Sequence, residues 1–380
     1  MPPLTCLAVL VFSLLAAPAC RDGNSSSRDN PPDAVKRRDF FVVAEHGIRL
    51  FVREVRSQKH FGVPVLLIHG ARVPGVASFD LPIEQGSLAV DIAQAGHVVY
   101  LMDARGYGRS TRPKQMSEPA QAHPPLVRSD EVVRDIDAVV NWIRDHKRHS
   151  RVALLGWATG GHWAGYYASL HSQKLSSVVV WNTLYGKSDQ HSALGRGSDM
   201  EDPQAPGRFN RKEFGAYRFN TAESLLRTWD KSIPGEDKSY WRDPAIASAY
   251  VQAALASDPT SSSRTPPSFR SPSGAMEDSF YLATGHQPWD ASRIRVPVLI
   301  IRSAKDFWSR PEDLTQLAHD LVKAPEVKTL TIPGATHWVH LDRPERGRSI
   351  LLDQLVKFLS ASPKHLKKAR APQPAQADRI

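Results

Sequence analysis

Residues 152–168 read VALLGWATGGHWAGYYA. The run 152–157 is apolar or small throughout, the pattern of a strand buried on both faces. A glycine-rich bend follows, and after it a helical stretch continuing through GHWAGYYASLHSQ, residues 161–173. A strand that turns into a helix this sharply lifts one side chain above the sheet, in a strained conformation. Gly156, Gly160 and Gly161 around the bend allow strand and helix to approach closely. The residue at the lifted position is Ala158.

The same rhythm runs outward in both directions. DFFVVAEHGIRLFVREV, residues 39–55, alternates apolar and polar residues about His46-Gly47 and predicts a β-hairpin. VPVLLIHG (63–70) and HVVYLMDARGYGRS (97–110) open with buried strands. Over 130–146, Val132, Val133, Ile136, Val139, Val140 and Ile143 recur at helical spacing. LSSVVVWNTL (175–184) is the strand after the glycine-rich turn.

After Tyr185 the alternation stops for about a hundred residues, too many for a connection. This segment, 187–291, reads as an inserted and largely helical cap, with helices in TAESLLRTWDKS (221–232) and DPAIASAYVQAAL (243–255). The polar span 257–278 reads as a long loop within it. The rhythm resumes with VPVLIIRSAKD (296–306), a helix over 311–322, VKTLTIPGATHW (327–338) and a closing helix over 344–359. The expected fold class is α/β, a mostly parallel, doubly wound sheet, with its core in 39–186 and 292–361.

At the start of the 380-residue chain, an apolar run over 7–17 ends in Ala17-Pro18-Ala19-Cys20. It has the length of a signal-peptide core and is too short to span a bilayer, so residues 1–20 predict export. Two readings stand: cleavage after small residues, or a lipoprotein-type box with Cys20 lipidated as a membrane tether. Residues 21–38 read as a disordered tether, and 362–380 as a disordered basic tail. The two cysteines, Cys6 and Cys20, leave the body without a disulfide or cysteine metal site. No metal-ligand spacing and no dinucleotide fingerprint occur, so no metal or cofactor is expected. The net charge of +10 lies partly in 36–38 and in the tail. No nucleic-acid recognition motif accompanies it, which favours solubility or loose contact with anionic surfaces over specific nucleic-acid binding.

Five motifs now stand in order: LLIHGA (66–71), DARGYGRS (103–110), GWATGG (156–161), IIRSAKD (300–306) and GATHW (334–338). Together they resemble the α/β-hydrolase fold superfamily across roughly 39–359, apart from the cap. The resemblance implies a nucleophile at Ala158, an acid at Asp306 and a base at His337, in the family's chain order. It also implies an oxyanion hole from the backbone N–H groups of Ala71 and Thr159. Ala158 departs from the family, where this position is usually Ser, sometimes Cys or Asp. Thr159 is a poor substitute nucleophile, since its side chain should point elsewhere.

Trp157, His162 and Trp229 are candidates for contact with substrate, with core packing as the competing role for each, and Trp163 is expected in the core. Arg218, Tyr240 and Trp241 are further cap candidates for selecting substrate. Asp103 and Arg105 are expected to be structural. Three readings follow for a small-molecule substrate or ligand. One is an enzyme without an elbow nucleophile, in which His337 and Asp306 activate water or abstract a proton. Another is a binding protein that has lost its chemistry. The last is an ordinary serine hydrolase carrying an engineered Ser-to-Ala change.

Overall fold

The computed structural model describes residues 35–361 apart from 148 and 192. The segments 1–34 and 362–380, which hold the expected leader, most of the tether and the tail, lie outside the described residues.

Ten strands form two sheets. They are β1 (Lys36–Val43), β2 (Arg49–Arg56), β3 (Val65–Ile68), β4 (Val99–Met102), β5 (Val152–Trp157), β6 (Leu175–Trp181), β7 (Tyr217–Thr221), β8 (Ser268–Pro272), β9 (Val298–Ser303) and β10 (Val327–Ile332). The large sheet has the order β1-β2-β4-β3-β5-β6-β9-β10, while β7 and β8 pair separately. β2 is antiparallel to both β1 and β4, and all remaining pairs in the large sheet are parallel.

Ten helices cover the sheet and build the cap. They are α1 (Gly75–Phe79), α2 (Leu88–Gln94), α3 (Ser129–Lys147), α4 (Thr159–His171), α5 (Arg211–Phe214), α6 (Ala222–Ser232), α7 (Pro244–Ala256), α8 (Gly274–Ala283), α9 (Pro311–Asp320) and α10 (Arg348–Ala361). The continuous apolar runs are explained by two cores, one on each face. Leu67, Ala153, Leu155 and Leu299 point to the face covered by α2 and α10, whereas Leu66, Ile68, Leu154 and Ile300 point to the face covered by α3 and α4. Successive strand residues alternate sides, so a parallel strand between two helix layers must be apolar at every position. Truncating such a residue, Leu154→Ala for example, costs about 2–5 kcal/mol.

The cap shares the first of these cores. Leu225 and Trp229 of α6, and Ile246, Tyr250 and Ala254 of α7, join the same cluster as Trp157, Trp338 and Leu155. Trp229 stacks on Trp338 at 5.4 Å between ring centroids and 20° between planes. Its Nε1–H donates to Asp342 at 3.0 Å. Burial pushes the Asp342 carboxyl up to about 7, against the hydrogen bonds from Thr336 and Trp229.

Two expectations need correction. The tether was to reach residue 38, but Lys36–Arg38 already pair with Arg56, Val55 and Glu54 across the hairpin, and Arg37 binds the Asp80 carboxylate at 2.8 Å. A basic run looks solvated in sequence, and here the unpaired edge and a buried acid capture it. The polar span 257–278 is also not one loop: it contains β8 and the start of α8. Its order comes from Asp258, whose carboxylate takes Arg264 at 2.7 Å and Arg270 at 2.8 Å. Despite the cost of burial, hydrogen bonds from Arg270 and Thr260 hold this acid well below the ordinary carboxylate range. The cap is therefore four helices around a two-stranded antiparallel ribbon.

Candidate active site

β5 is the strand about which the order of connection reverses, with β3 and β4 on one side and β6, β9 and β10 on the other. Sheets of this kind leave a crevice at the carboxyl ends of their strands at such a point. His69-Gly70 follows β3, Ala158 follows β5, Asp306 follows β9 and His337 follows β10.

Ala158 has φ 54° and ψ −122°. A positive φ on a residue other than glycine costs on the order of 1–3 kcal/mol, so the surrounding packing must impose it. A Cβ on Gly156 would meet the Gly160 carbonyl oxygen at 2.2 Å, and one on Gly160 would meet the Ile68 carbonyl oxygen at 2.2 Å. The start of α4 is thus pressed against β3 and β5, and the elbow between them cannot relax. Thr159 opens α4, where backbone N–H groups have no partner within the helix. Among the described residues, neither the Thr159 nor the Ala71 N–H donates to a protein acceptor. Buried His69 steadies the second of these donors. Its Nε2 accepts from the Ala104 N–H at 3.1 Å, which leaves a proton on Nδ1 to donate to the Gly70 carbonyl at 2.6 Å. Burial lowers the pKa of this imidazole to about 4.

His337 Nδ1 lies 2.5 Å from Asp306 Oδ1. Asp306 is itself fully engaged: Oδ1 accepts from the Trp308 N–H at 3.2 Å, while Oδ2 accepts from the Ser309 N–H at 2.8 Å and its hydroxyl at 2.5 Å. In this pair the carboxylate oxygen accepts and the His337 Nδ1–H donates, which leaves Nε2 as the acceptor nitrogen. The backbone of His337 is pinned as well. Its carbonyl accepts from Trp157 Nε1 at 3.1 Å and from Asn182 Nδ2 at 3.2 Å. Asn182 is fixed in turn by the Ser303 N–H at 2.7 Å and hydroxyl at 3.0 Å.

A cavity of about 180 Å³ joins these groups. Ala71, Ala158, Thr159 and His337 line its floor, and Trp157, Tyr250, Met276, Phe307, Trp308 and Trp338 form apolar walls. Two arginines, Arg72 and Arg218, complete the wall. Among the described residues, no group of three or more His, Cys, Asp or Glu side chains is placed to hold a metal ion.

The structure brings together Ala71, Trp157, Ala158, Thr159, Asp306 and His337. His162 and Trp229 stand elsewhere. His162 is buried behind the elbow, where its Nδ1 accepts from Trp289 Nε1 at 3.1 Å, and burial lowers its pKa to about 4. Trp229 is enclosed beneath Trp338 and does not reach the cavity. An aromatic or histidine near a motif has no sequence mark for the direction its side chain takes. Tyr240 and Trp241 lie outside the cavity against Arg346, whereas Arg218 is on its wall. Trp163 is fully buried. Asp103 is structural: its carboxylate accepts from the Gly75 N–H at 2.8 Å and the Arg109 N–H at 2.9 Å. Arg105 is paired with Asp135 at 2.7 Å. Arg72 stands in ARVPG (71–75), the loop after His69-Gly70 that reads in sequence as able to line the mouth of the site, whereas Tyr250 and Asn182 carry no such mark.

A family model for the alpha/beta hydrolase fold matches residues 63–344. A poly(3-hydroxyalkanoate) polymerase subunit PhaC from Haloarcula marismortui is 28% identical over 125 residues, 33% of this chain and 23% of that protein. The chain thus matches about a quarter of that relative's length. Among solved structures, E-2-(acetamidomethylene)succinate hydrolase superposes with a TM-score of 0.56 at 19% identity, covering 86% of this chain and 100% of that one. The esterase RhEst1 from Rhodococcus sp. ECU1013 gives 0.54 at 17% identity, covering 86% and 99%. Identities this low speak to the fold.

Proposed function

The chain belongs to the α/β-hydrolase fold family, and on that footing we propose that it is a hydrolase working without an elbow nucleophile. The observation that carries the reading is His337, held by Asp306 through Nδ1, with its ring on the cavity and Nε2 without a hydrogen bond among the described residues. An oriented imidazole of this kind is a general base. His337 Nε2 takes a proton from water as the water oxygen bonds to the substrate carbonyl carbon. The carbonyl oxygen, becoming an anion, receives the Ala71 and Thr159 N–H groups. When the tetrahedral species collapses, the bond to the leaving group breaks and the leaving atom takes the proton back from His337. Ala158 supplies no atom, and its small side chain leaves room for water where a nucleophile would stand.

Export is part of the proposal and rests on residues 1–20 alone, either with cleavage after the small residues or with Cys20 as a lipid-bearing tether to a membrane; fractionation of the full chain and its Cys20→Ala variant tests export and distinguishes the two. The catalytic reading is tested with a panel of small esters, thioesters and amides. The native chain is expected to hydrolyse at least one of them. His337→Ala and Asp306→Asn should each lose about 10²–10⁴-fold in turnover, with an unchanged melting temperature. Undiminished turnover in His337→Ala would sink the mechanism. Ala158 favours a second reading, a binding protein, and a compound bound and recovered unaltered would establish it.

A further inference from the structure

Arg72 and Arg218 have no acid to answer them. Arg72 Nε donates to Asn220 Oδ1 at 2.8 Å, and its NH groups reach the Ser224 hydroxyl at 2.8 Å and the Thr228 hydroxyl at 3.4 Å, all neutral acceptors. The partner of Arg218 is weaker still, the Met276 thioether sulfur at 2.9 Å, and its buried Nε has no acceptor. Neither guanidinium enters an ion pair among the described residues. Arg218 and Asn220 lie two residues apart on one face of β7, so the two side chains approach each other. Each guanidinium therefore has a like charge for a neighbour, and burial with that repulsion lowers the Arg218 pKa to about 10.

Several other sheltered arginines are matched, Arg105 by Asp135, Arg270 by Asp258, Arg310 by Asp313 and Arg348 by Asp91, while Arg112 and Arg302 meet backbone carbonyls outside the cavity. Two unmatched cations side by side are costly in a folded protein unless something else supplies the anion. They line the same cavity as Ala71 and His337. A third wall residue, Trp308, has a buried indole N–H that also lacks an acceptor.

We propose that Arg72 and Arg218 receive a carboxylate of the substrate. The pocket would then act on a small organic acid whose hydrolysable carbonyl lies a short spacer from that carboxylate. The second half of this statement rests on the proposed hydrolase reading; the first does not. Arginine is suited to the task because its planar donors match two carboxylate oxygens at once. The neutral clamps on Arg72 hold its guanidinium in place without cancelling its charge. The apolar walls and the volume of about 180 Å³ suit a ring or short chain, since dry cavities of about 150 Å³ take up benzene.

The test is calorimetric binding to the full chain and to His337→Ala, so that turnover plays no part. Probes are benzoate, phenylacetate and monomethyl succinate, each beside its primary amide, with inorganic phosphate as a further anion. At least one acid should bind, at least about tenfold tighter than its amide, and Arg218→Met and Arg72→Met should each remove that preference. Equal binding of acids and amides overturns the proposal, as does a preference that survives in Arg218→Met. Phosphate binding tighter than every acid overturns it too. Acids bound by a chain that hydrolyses nothing would uphold this inference and end the hydrolase reading. Turnover of neutral esters with no preference for acids would do the reverse.

Discussion

The floor and the wall of the cavity treat charged side chains in opposite ways. On the floor every charge is answered. Asp306 accepts from His337, Trp308 and Ser309, and the His337 carbonyl is held by Trp157 and Asn182. On the wall, Arg72 meets neutral oxygens and Arg218 a sulfur atom. Satisfied hydrogen bonds fix geometry, which is what a proton-moving pair needs. Unsatisfied charge keeps interaction energy in reserve, which is what a binding group needs. The difference separates residues that orient from residues that wait for a ligand.

Three substitutions would break or sharpen that contrast. The largest effect is expected from Ala158→Ser. The elbow conformation, the His337–Asp306 pair and the N–H groups of Ala71 and Thr159 are already in place, so one hydroxyl supplies the nucleophile that the proposed function lacks. The variant should be labelled to completion by a serine-directed phosphonate that leaves the native chain unmodified, as read by mass spectrometry. An unlabelled Ala158→Ser would mean that the floor is not ordered as described.

A smaller effect, of opposite sense, is expected on the wall. Arg218→Met removes an unmatched cation and adds an apolar side chain beside Met276. Without ligand, it should gain about 1 kcal/mol of stability, ~2 °C in thermal melting. A loss of stability would show that the charge is answered after all. The smallest effect belongs to the elbow itself. Ala158→Gly relieves the positive φ but loosens the unfolded chain, leaving a net gain of under about 1 kcal/mol in denaturant unfolding. A clear destabilisation would mean that the conformation at 158 carries no strain.

Some of this was open to reading in the chain itself. The apolar runs at 65–68, 99–102, 152–157 and 298–301 announce strands buried on both faces, because a parallel sheet between helices favours nothing else. The glycines at 156 and 160 announce close contact, and the order of Ala158, Asp306 and His337 places the floor of the site. Cross-chain partners had no such mark. β8 is polar in sequence and becomes a strand only because β7 lies beside it and Asp258 gathers Arg264 and Arg270. His162 and Trp229 lie near the motifs in sequence and behind the cavity in space.

The sequence alone therefore determined the sheet and the bend at Ala158, since each follows from local periodicity or from glycine. Only the tertiary structure decided which arginines go unanswered. Whether a charge is paired depends on groups far away in the chain: Arg72 meets Asn220 and Ser224 across about 150 residues, and no carboxylate comes with them.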